Sequence, residues 1–261
     1  MRAIRRWLGR APTRGERVFF PNERRSAAVP DDIRIYAVGD VHGRADLLRR
    51  LLSRIDRDLA ARPISRPIEV FLGDYIDRGP ASRQVIDCLI ERGLSRETVC
   101  LKGNHEAFWS EFLRNPEVLE VWQKFGGIQT LLSYGIVPKP EFDSTERTRV
   151  ARAFAESLPQ SHYRFLAALQ SRFLCGDFFF VHAGIRPGVS LDEQKDEDLL
   201  WIRDDFLSSK DDFGKIVVHG HTPVDRPEVH SNRINIDTGA YATGRLTCLV
   251  IEQDTIAFTP V

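Results

Sequence analysis

The sequence predicts an α/β protein: a four-layer αββα sandwich of two mixed β-sheets flanked by helices, with a helical cap inserted into it. Three observations carry that expectation. Between Ile33 and Leu101 short β-rich runs alternate with helical patterns, the signature of layered α/β architecture. After Phe173 the chain is strand-rich. Five of the apolar runs end in Asp, Asn or His beside Gly, as they should where buried strands deliver polar groups beyond their carboxyl ends.

The elements follow in order. Ile33 to Val38 opens the fold as a strand. After Gly43, the residues Leu47, Leu48, Leu51, Leu52, Ile55 and Leu59 keep helical spacing, which predicts an amphipathic helix ending near Arg62-Pro63. Ile68 to Leu72 is the next strand. Pro80 starts a second helix, with Val85, Ile86, Leu89 and Ile90 inward and Gly93 as its stop. Thr98 to Leu101 completes a βαβαβ unit.

Residues 107–170 read as a long, mainly helical insertion. Phe108, Trp109 and Phe112 mark its first helix, Leu119 and Trp122 a second, and Leu131 and Leu132 a third after Gly126-Gly127. Val150, Phe154 and Leu158 mark a fourth, and Phe165, Leu166 and Leu169 a fifth. Aromatic stripes at this spacing read as core. Because the insertion leaves from a polar loop, it is expected to cap a pocket and to select what enters. Beyond it, Arg172 to Cys175 and Phe178 to Val181 form a hairpin about Gly176-Asp177, with Gly at the first central position. Ile216 to Val218, Arg233 to Ile236, Leu246 to Ile251 and Thr255 to Phe258 supply the remaining strands.

The 261 residues are 42% hydrophobic and 28% charged, which suits one large domain with a substantial core. Formal net charge is zero, so no nucleic-acid partner is expected. Cys88, Cys100, Cys175 and Cys248 are scattered and lack CxxC spacing; they read as reduced core residues of a cytoplasmic protein. No apolar run is long enough for a transmembrane segment. Residues 1–30 differ from the rest: eight arginines face only Glu16 and Glu23, and Pro12, Pro21 and Pro30 punctuate them. They lack the apolar region of a secretory signal and read as a flexible Arg-rich leader to a domain over 31–261.

The five polar loops share one grammar. Val38 runs into Gly39-Asp40-Val41-His42-Gly43, Leu72 into Gly73-Asp74-Tyr75-Ile76-Asp77-Arg78-Gly79, and Leu101 into Lys102-Gly103-Asn104-His105-Glu106. Val181 leads to His182-Ala183-Gly184, and Val218 to His219-Gly220-His221-Thr222-Pro223. A single such loop is an ordinary turn. Five at strand ends make a site. Asp40, His42, Asp74, Asn104, His182 and His221 are oxygen and imidazole donors without a thiolate, a set suited to manganese, iron or zinc. Six donors from five loops exceed what one cation needs and suit two, roughly 3.5 to 4 Å apart.

The first three of these loops resemble the signature blocks of the phosphoprotein phosphatase family of calcineurin-like metallophosphoesterases. With His182-Ala183-Gly184, Trp201-Ile202-Arg203 and Gly220-His221-Thr222-Pro223, the likeness runs from about Ile33 to the C-terminus, nearest the compact bacterial and phage branch. The resemblance implies two divalent cations, manganese foremost with iron or zinc as alternatives. Asp40 and His42 would hold the first, Asp74 both, and Asn104, His182 and His221 the second. It further implies that Arg78 and Arg203 bind phosphoryl oxygens and that His105, oriented by Asp77, protonates the leaving alkoxide. Attack on phosphorus would come from a hydroxide shared by the cations. Glu106 reads as a structural carboxylate and His219 as a strand-end residue.

The implied activity is that of a protein serine/threonine phosphatase acting on phosphorylated proteins or peptides. Its rival is the symmetrical diadenosine tetraphosphatase, which shares the flavour of Asp237-Thr238-Gly239. Those enzymes typically have alanine where this chain has Asp77, aspartate at Glu106 and tryptophan at Thr222, and all three departures favour the protein phosphatase. A phosphotyrosine preference would depend on pocket depth. A non-enzymatic scaffold would lack a ligand or the acid, and none is missing here.

Overall fold

The computed structural model describes Arg17, residues 26–139 and residues 143–261. Most of the expected leader therefore lies outside the described residues. Its last part does not behave as a leader: Ala27 and Val29 are 1% and 4% exposed and belong to the core, and the Val29 N–H donates to the Gln253 carbonyl at 2.9 Å.

Strand β1 (Ile33–Val38) leads to helix α1 (Ala45–Ala61), β2 (Arg66–Phe71), α2 (Ser82–Ser95) and β3 (Glu97–Cys100). All six apolar positions read from the α1 periodicity are buried, each contributing roughly 1.5 to 3 kcal/mol before entropy is counted. Helix α1 stops two residues short of Pro63, whose ring disfavours helix in the residue before it. Helix α2 departs from expectation. Gly93 does not end it; the helix runs on to Ser95. A Cβ at Gly93 would stand 3.2 Å from Thr98 Oγ1, so the glycine serves the close approach of β3.

The insertion holds α3 (Asn104–Phe112), α4 (Leu119–Trp122) between two 3₁₀ turns, α5 (Gly127–Ser133), α6 (Ser144–Ser157) and α7 (Gln160–Ala167). Trp109, Phe112, Trp122 and Phe154 are fully buried together, as the aromatic stripe predicts. Then come β4 (Arg172–Cys175), β5 (Phe178–Val181), α8 (Asp196–Trp201), α9 (Asp204–Leu207) and β6 (Ile216–His219). The chain closes with β7 (Glu228–Val229), β8 (Arg233–Asn235), α10 (Ala240–Thr243), β9 (Thr247–Glu252) and β10 (Thr255–Pro260). The β4–β5 turn places Gly176 at φ 56°, as the hairpin type requires.

Two five-stranded mixed sheets result, ordered β10-β9-β1-β2-β3 and β4-β5-β6-β8-β7. Side-chain alternation decides the layers. Ile35, Ala37, Ile68 and Val70 of the first sheet meet Phe178, Phe180, Ile216 and Val218 of the second. On the outer faces, Tyr36, Val38 and Phe71 pack on the helices of α1, α2 and the insertion, while Phe179, Val181 and Val217 pack on α8 and α9. Helix, sheet, sheet and helix are the four layers expected. Strands β1, β2 and β3 are mutually parallel, as are β5 and β6, so the polar loops leave the sandwich at their carboxyl ends. No helix among the described residues is long and apolar enough to cross a membrane.

Candidate active site

The loops are held in backbone conformations that L-residues seldom adopt. His42 (φ 43°), Asp74 (50°), Asp77 (69°), Arg78 (64°) and His221 (65°) are left-handed, leaving Gln253 as the single other non-glycine case among the described residues. Such strain, roughly 1 to 3 kcal/mol per residue, persists where surroundings overdetermine it and clusters at functional sites. Here Glu106 supplies part of the restraint. Buried at the start of α3, its carboxylate accepts the backbone N–H groups of Asp74, Tyr75 and Gly103, each at 2.9 Å. The Asp74 carboxylate in turn accepts the His105 N–H at 3.1 Å.

Asp74 lies at the centre. His42 Nε2 is 3.5 Å from its Oδ2, His105 Nε2 3.7 Å from the same oxygen, and His182 Nε2 3.4 Å from Oδ1. Burial alone would raise the Asp74 pKa, but His182, His105, His42 and His221 around it hold it well below the usual carboxylate range. Two groups of side chains lie within one cation's reach: His42, Asp74 and His105, and Asp74, His182 and His221. Asn104 joins the second, its Oδ1 2.9 Å from both His182 Nε2 and His221 Nδ1. The Asp40 carboxylate accepts the His221 N–H at 3.0 Å.

The donor set fits cations. His42 and His182 give their Nδ1 to the carbonyls of Ile76 (2.8 Å) and Leu72 (2.9 Å). Burial lowers both pKa values, His42 to about 3, so each ring is neutral and turns a bare Nε2 lone pair toward Asp74. His182 Nε2 thus meets another lone pair at Asn104 Oδ1, an opposition that a cation between them relieves. Asp40 Oδ1 is buried without a hydrogen-bond partner among the described residues. Burial, Asp237 and Asp74 push the Asp40 pKa well above its ordinary value, the state of a carboxyl that lacks a counter-charge.

A second group adjoins this one. His105 Nδ1 is 2.6 Å from Asp77 Oδ2. Burial would lower the His105 pKa, yet the Asp74 and Asp77 carboxylates together outweigh it and raise the value. Arg78 Nη2 reaches His105 Nε2 at 3.3 Å, and Arg203 Nε reaches His221 Nε2 at 3.2 Å. Neither arginine pairs with a carboxylate among the described residues. Asp205, a neighbour of Arg203 in sequence, pairs with Arg186 instead. All ten residues singled out from the sequence therefore line one site.

A family model for calcineurin-like phosphoesterases matches residues 33–248. The chain belongs to the calcineurin-like phosphoesterase family. It is a hydrolase of phosphoester bonds. An asymmetrical bis(5'-nucleosyl)-tetraphosphatase, PrpE of Anoxybacillus flavithermus, is 30% identical over 232 residues, 81% of this chain and 88% of that one. Two solved structures agree in fold. A protein crystallised as a candidate diadenosine tetraphosphatase is 19% identical and superposes with a TM-score of 0.58, covering 94% of this chain and 98% of its own. A protein serine/threonine phosphatase from Saccharomyces cerevisiae is 15% identical with a TM-score of 0.53, covering 88% of this chain and 80% of its own.

Several residues of the phosphoesterase site escape sequence reasoning. Asp237, just after β8, is 2% exposed, its Oδ1 accepts the Gly239 N–H at 2.9 Å, and burial pushes its pKa up to about 6. Trp122, read as core, and Thr130, which the sequence did not single out, hydrogen-bond the Asp77 carboxylate at 2.7 and 2.5 Å. Only the motif Asp-Thr-Gly hinted at the first. Nothing in the sequence marks the other two.

Proposed function

We propose that this phosphoesterase is a two-cation phosphatase that hydrolyses phosphate monoesters on protein side chains, serine and threonine foremost. In this reading Asp40 and His42 would hold one cation, Asn104, His182 and His221 the other, and Asp74 would serve both; manganese is the expected metal by the family resemblance, and the oxygen and imidazole donors suit iron or zinc as well. Two divalent cations bound there supply the positive charge that acidifies a water and neutralises phosphoryl oxygens. Arg78 and Arg203, without carboxylate partners among the described residues, present planar donors to those oxygens and orient the ester.

The observation that carries the reading is the Asp77–His105 pair at 2.6 Å. The Asp77 carboxylate fixes Nδ1 and leaves Nε2 at the edge of the cation site, 3.7 Å from Asp74 Oδ2, where a leaving oxygen would stand. An imidazole held protonated there gives its Nε2 proton to the departing oxygen. Serine and threonine alkoxides need that proton most, whereas an anhydride departs as a stable phosphate anion. The four free cysteines support a reducing compartment, the cytoplasm.

A second reading is asymmetrical cleavage of dinucleoside tetraphosphates, favoured by the PrpE relative at 30% identity. Side-by-side kcat/KM measurements with manganese on phosphoserine and phosphothreonine peptides and on diadenosine tetraphosphate separate the two. A phosphopeptide is expected to win; preference for the dinucleotide overturns the first reading in favour of the second.

A further inference from the structure

Helix α1 gives one face to the core through Leu47, Leu48, Leu51, Leu52, Ile55 and Leu59. Its opposite face carries Arg49, Arg50, Ser53, Arg54 and Arg57, all exposed and in register over about two turns. With Val261 they line a cleft of about 370 Å³, and no lining residue is acidic. An arginine row on a helix is ordinarily solvated or paired with carboxylates nearby, and the rest of α1 follows that rule. Arg62 pairs with Asp58 and Arg44 with Asp46, each at 2.7 Å, and Asp56 takes Arg92 at 2.8 Å.

The cleft does not follow it. Arg49 makes no hydrogen bond or ion pair among the described residues. Arg57 Nε donates to the Ser53 carbonyl at 3.2 Å and Arg54 Nη1 to the Pro260 carbonyl, so neither guanidinium meets a carboxylate. Arg50 shares Asp46 with Arg44, at 3.3 Å. Three cations without counter-charges therefore line one hollow. Its place is also particular. Helix α1 begins directly after the His42 loop, and Arg44 Nη1 ties that end to the rim of the site by donating to the Ala240 carbonyl at 2.9 Å, next to the Tyr241 ring that packs on His42. At about 1.5 Å per residue, Arg50 and Arg57 lie roughly 8 and 18 Å along the axis from the helix start. An extended peptide anchored by its phosphate advances about 3.3 Å per residue, so side chains roughly four to eight residues along it reach the cleft.

We infer that the α1 cleft docks an acidic segment of the phosphoprotein substrate, a few carboxylates some way along the chain from the phosphorylated serine or threonine. This deepens the phosphatase reading and rests on it. Guanidinium forks match carboxylates with two donors to two oxygens. A few exposed pairs add modest affinity, enough to choose between substrates. The zero formal net charge of the chain gives a long polyanion no general attraction, so a short acidic segment fits the cleft better than a nucleic acid does.

Three phosphoserine peptides of equal length test it. One carries a glutamate run about four to eight residues N-terminal to the phosphoserine, one carries it C-terminal, and the third has glutamine at both places. With manganese at low salt, kcat/KM for one of the two acidic peptides should exceed that of the glutamine peptide about tenfold, mainly through KM. The gain should fade near 1 M salt, where the screening length is about 3 Å. Combining Arg49→Gln, Arg54→Gln and Arg57→Gln should remove the gain and leave the glutamine peptide unchanged. Equal kcat/KM on all three peptides overturns the inference and leaves the phosphatase reading standing. So does a gain of the same size on both sides, which is attraction by charge alone, or a gain that the triple variant keeps, whose source lies elsewhere. A wild-type protein inert on all three peptides overturns the phosphatase reading itself, and this inference with it.

Discussion

Trp122 Nε1 stands 2.7 Å from Asp77 Oδ2, so an indole of the inserted helices grips the carboxylate that grips His105. The insertion therefore supplies a group that helps to aim the acid. Trp122→Phe keeps the ring and removes the donor. A lost hydrogen bond to a charged, buried acceptor costs roughly 1.5 to 3 kcal/mol, and Asp77 retains Thr130. The expected result is a kcat lowered about tenfold with KM nearly unchanged and a lower unfolding temperature, read by steady-state kinetics and thermal melts.

His105→Asn separates acid catalysis from cation binding. Nε2 is lost while Asp40, His42, Asp74, Asn104, His182 and His221 remain. Turnover of an alkyl phosphate should fall about 100-fold or more, the scale of a missing general acid, with manganese content preserved. An activated aryl phosphate, whose leaving group needs no proton, should lose far less. Equal losses on both esters would remove His105 from the proton transfer.

The site was legible because its chemistry sits in contiguous blocks directly after apolar runs, where strand ends can be read locally. Asp40, Asp74 and His221 need no knowledge of long-range contacts to be suspected. Trp122 and Thr130 do. Trp122 has the pattern of a core residue and Thr130 that of an ordinary helix position, and the role of each depends on which helix of the insertion faces the Asp77 loop. Elements α8, α9, α10 and the two-residue β7 were too short to show a period. Gly93 misled because the usual helix-stop preference of glycine yielded to the tight approach of Thr98.

Gly126 and Gly135 distinguish strain from crowding. Both are left-handed, at φ 97° and 83°, but a Cβ on Gly126 would lie 2.6 Å from the Arg78 backbone nitrogen, whereas nothing stands within 4 Å of one on Gly135. Gly126 also accepts the Arg78 N–H at 3.2 Å. Gly135→Ala should cost about 1 kcal/mol and leave KM alone. Gly126→Ala should cost about 2 to 4 kcal/mol and raise KM several-fold, because Arg78 must shift. Chemical denaturation and kinetics on the pair decide it.

Removing the cations should give stability an optimum in pH. Burial and the Asp74 carboxylate push Glu106 up to about 8, and burial raises Asp237 to about 6. Unfolded, both titrate near about 4, so their contribution is complete below that and is lost as pH climbs through about 6 and about 8. The buried imidazoles have the opposite sign. His42 and His219 are lowered to about 3, His221 to about 2 and His182 in the same direction, so below about 6.5 the unfolded chain takes up more protons at these four rings than the folded chain keeps at Glu106 and Asp237, and stability falls as pH drops. Metal-free protein should therefore melt highest near about pH 6.5, with losses on both sides. Cation binding replaces the carboxyl protons, so manganese should flatten the alkaline limb and release protons at neutral pH. Melts across this range in chelator and in manganese, with titration calorimetry in two buffers of different ionisation enthalpy, measure both effects. A metal-free melting temperature that keeps rising above about pH 7 would show that Glu106 is ionised without a cation, its three backbone N–H donors outweighing burial and Asp74.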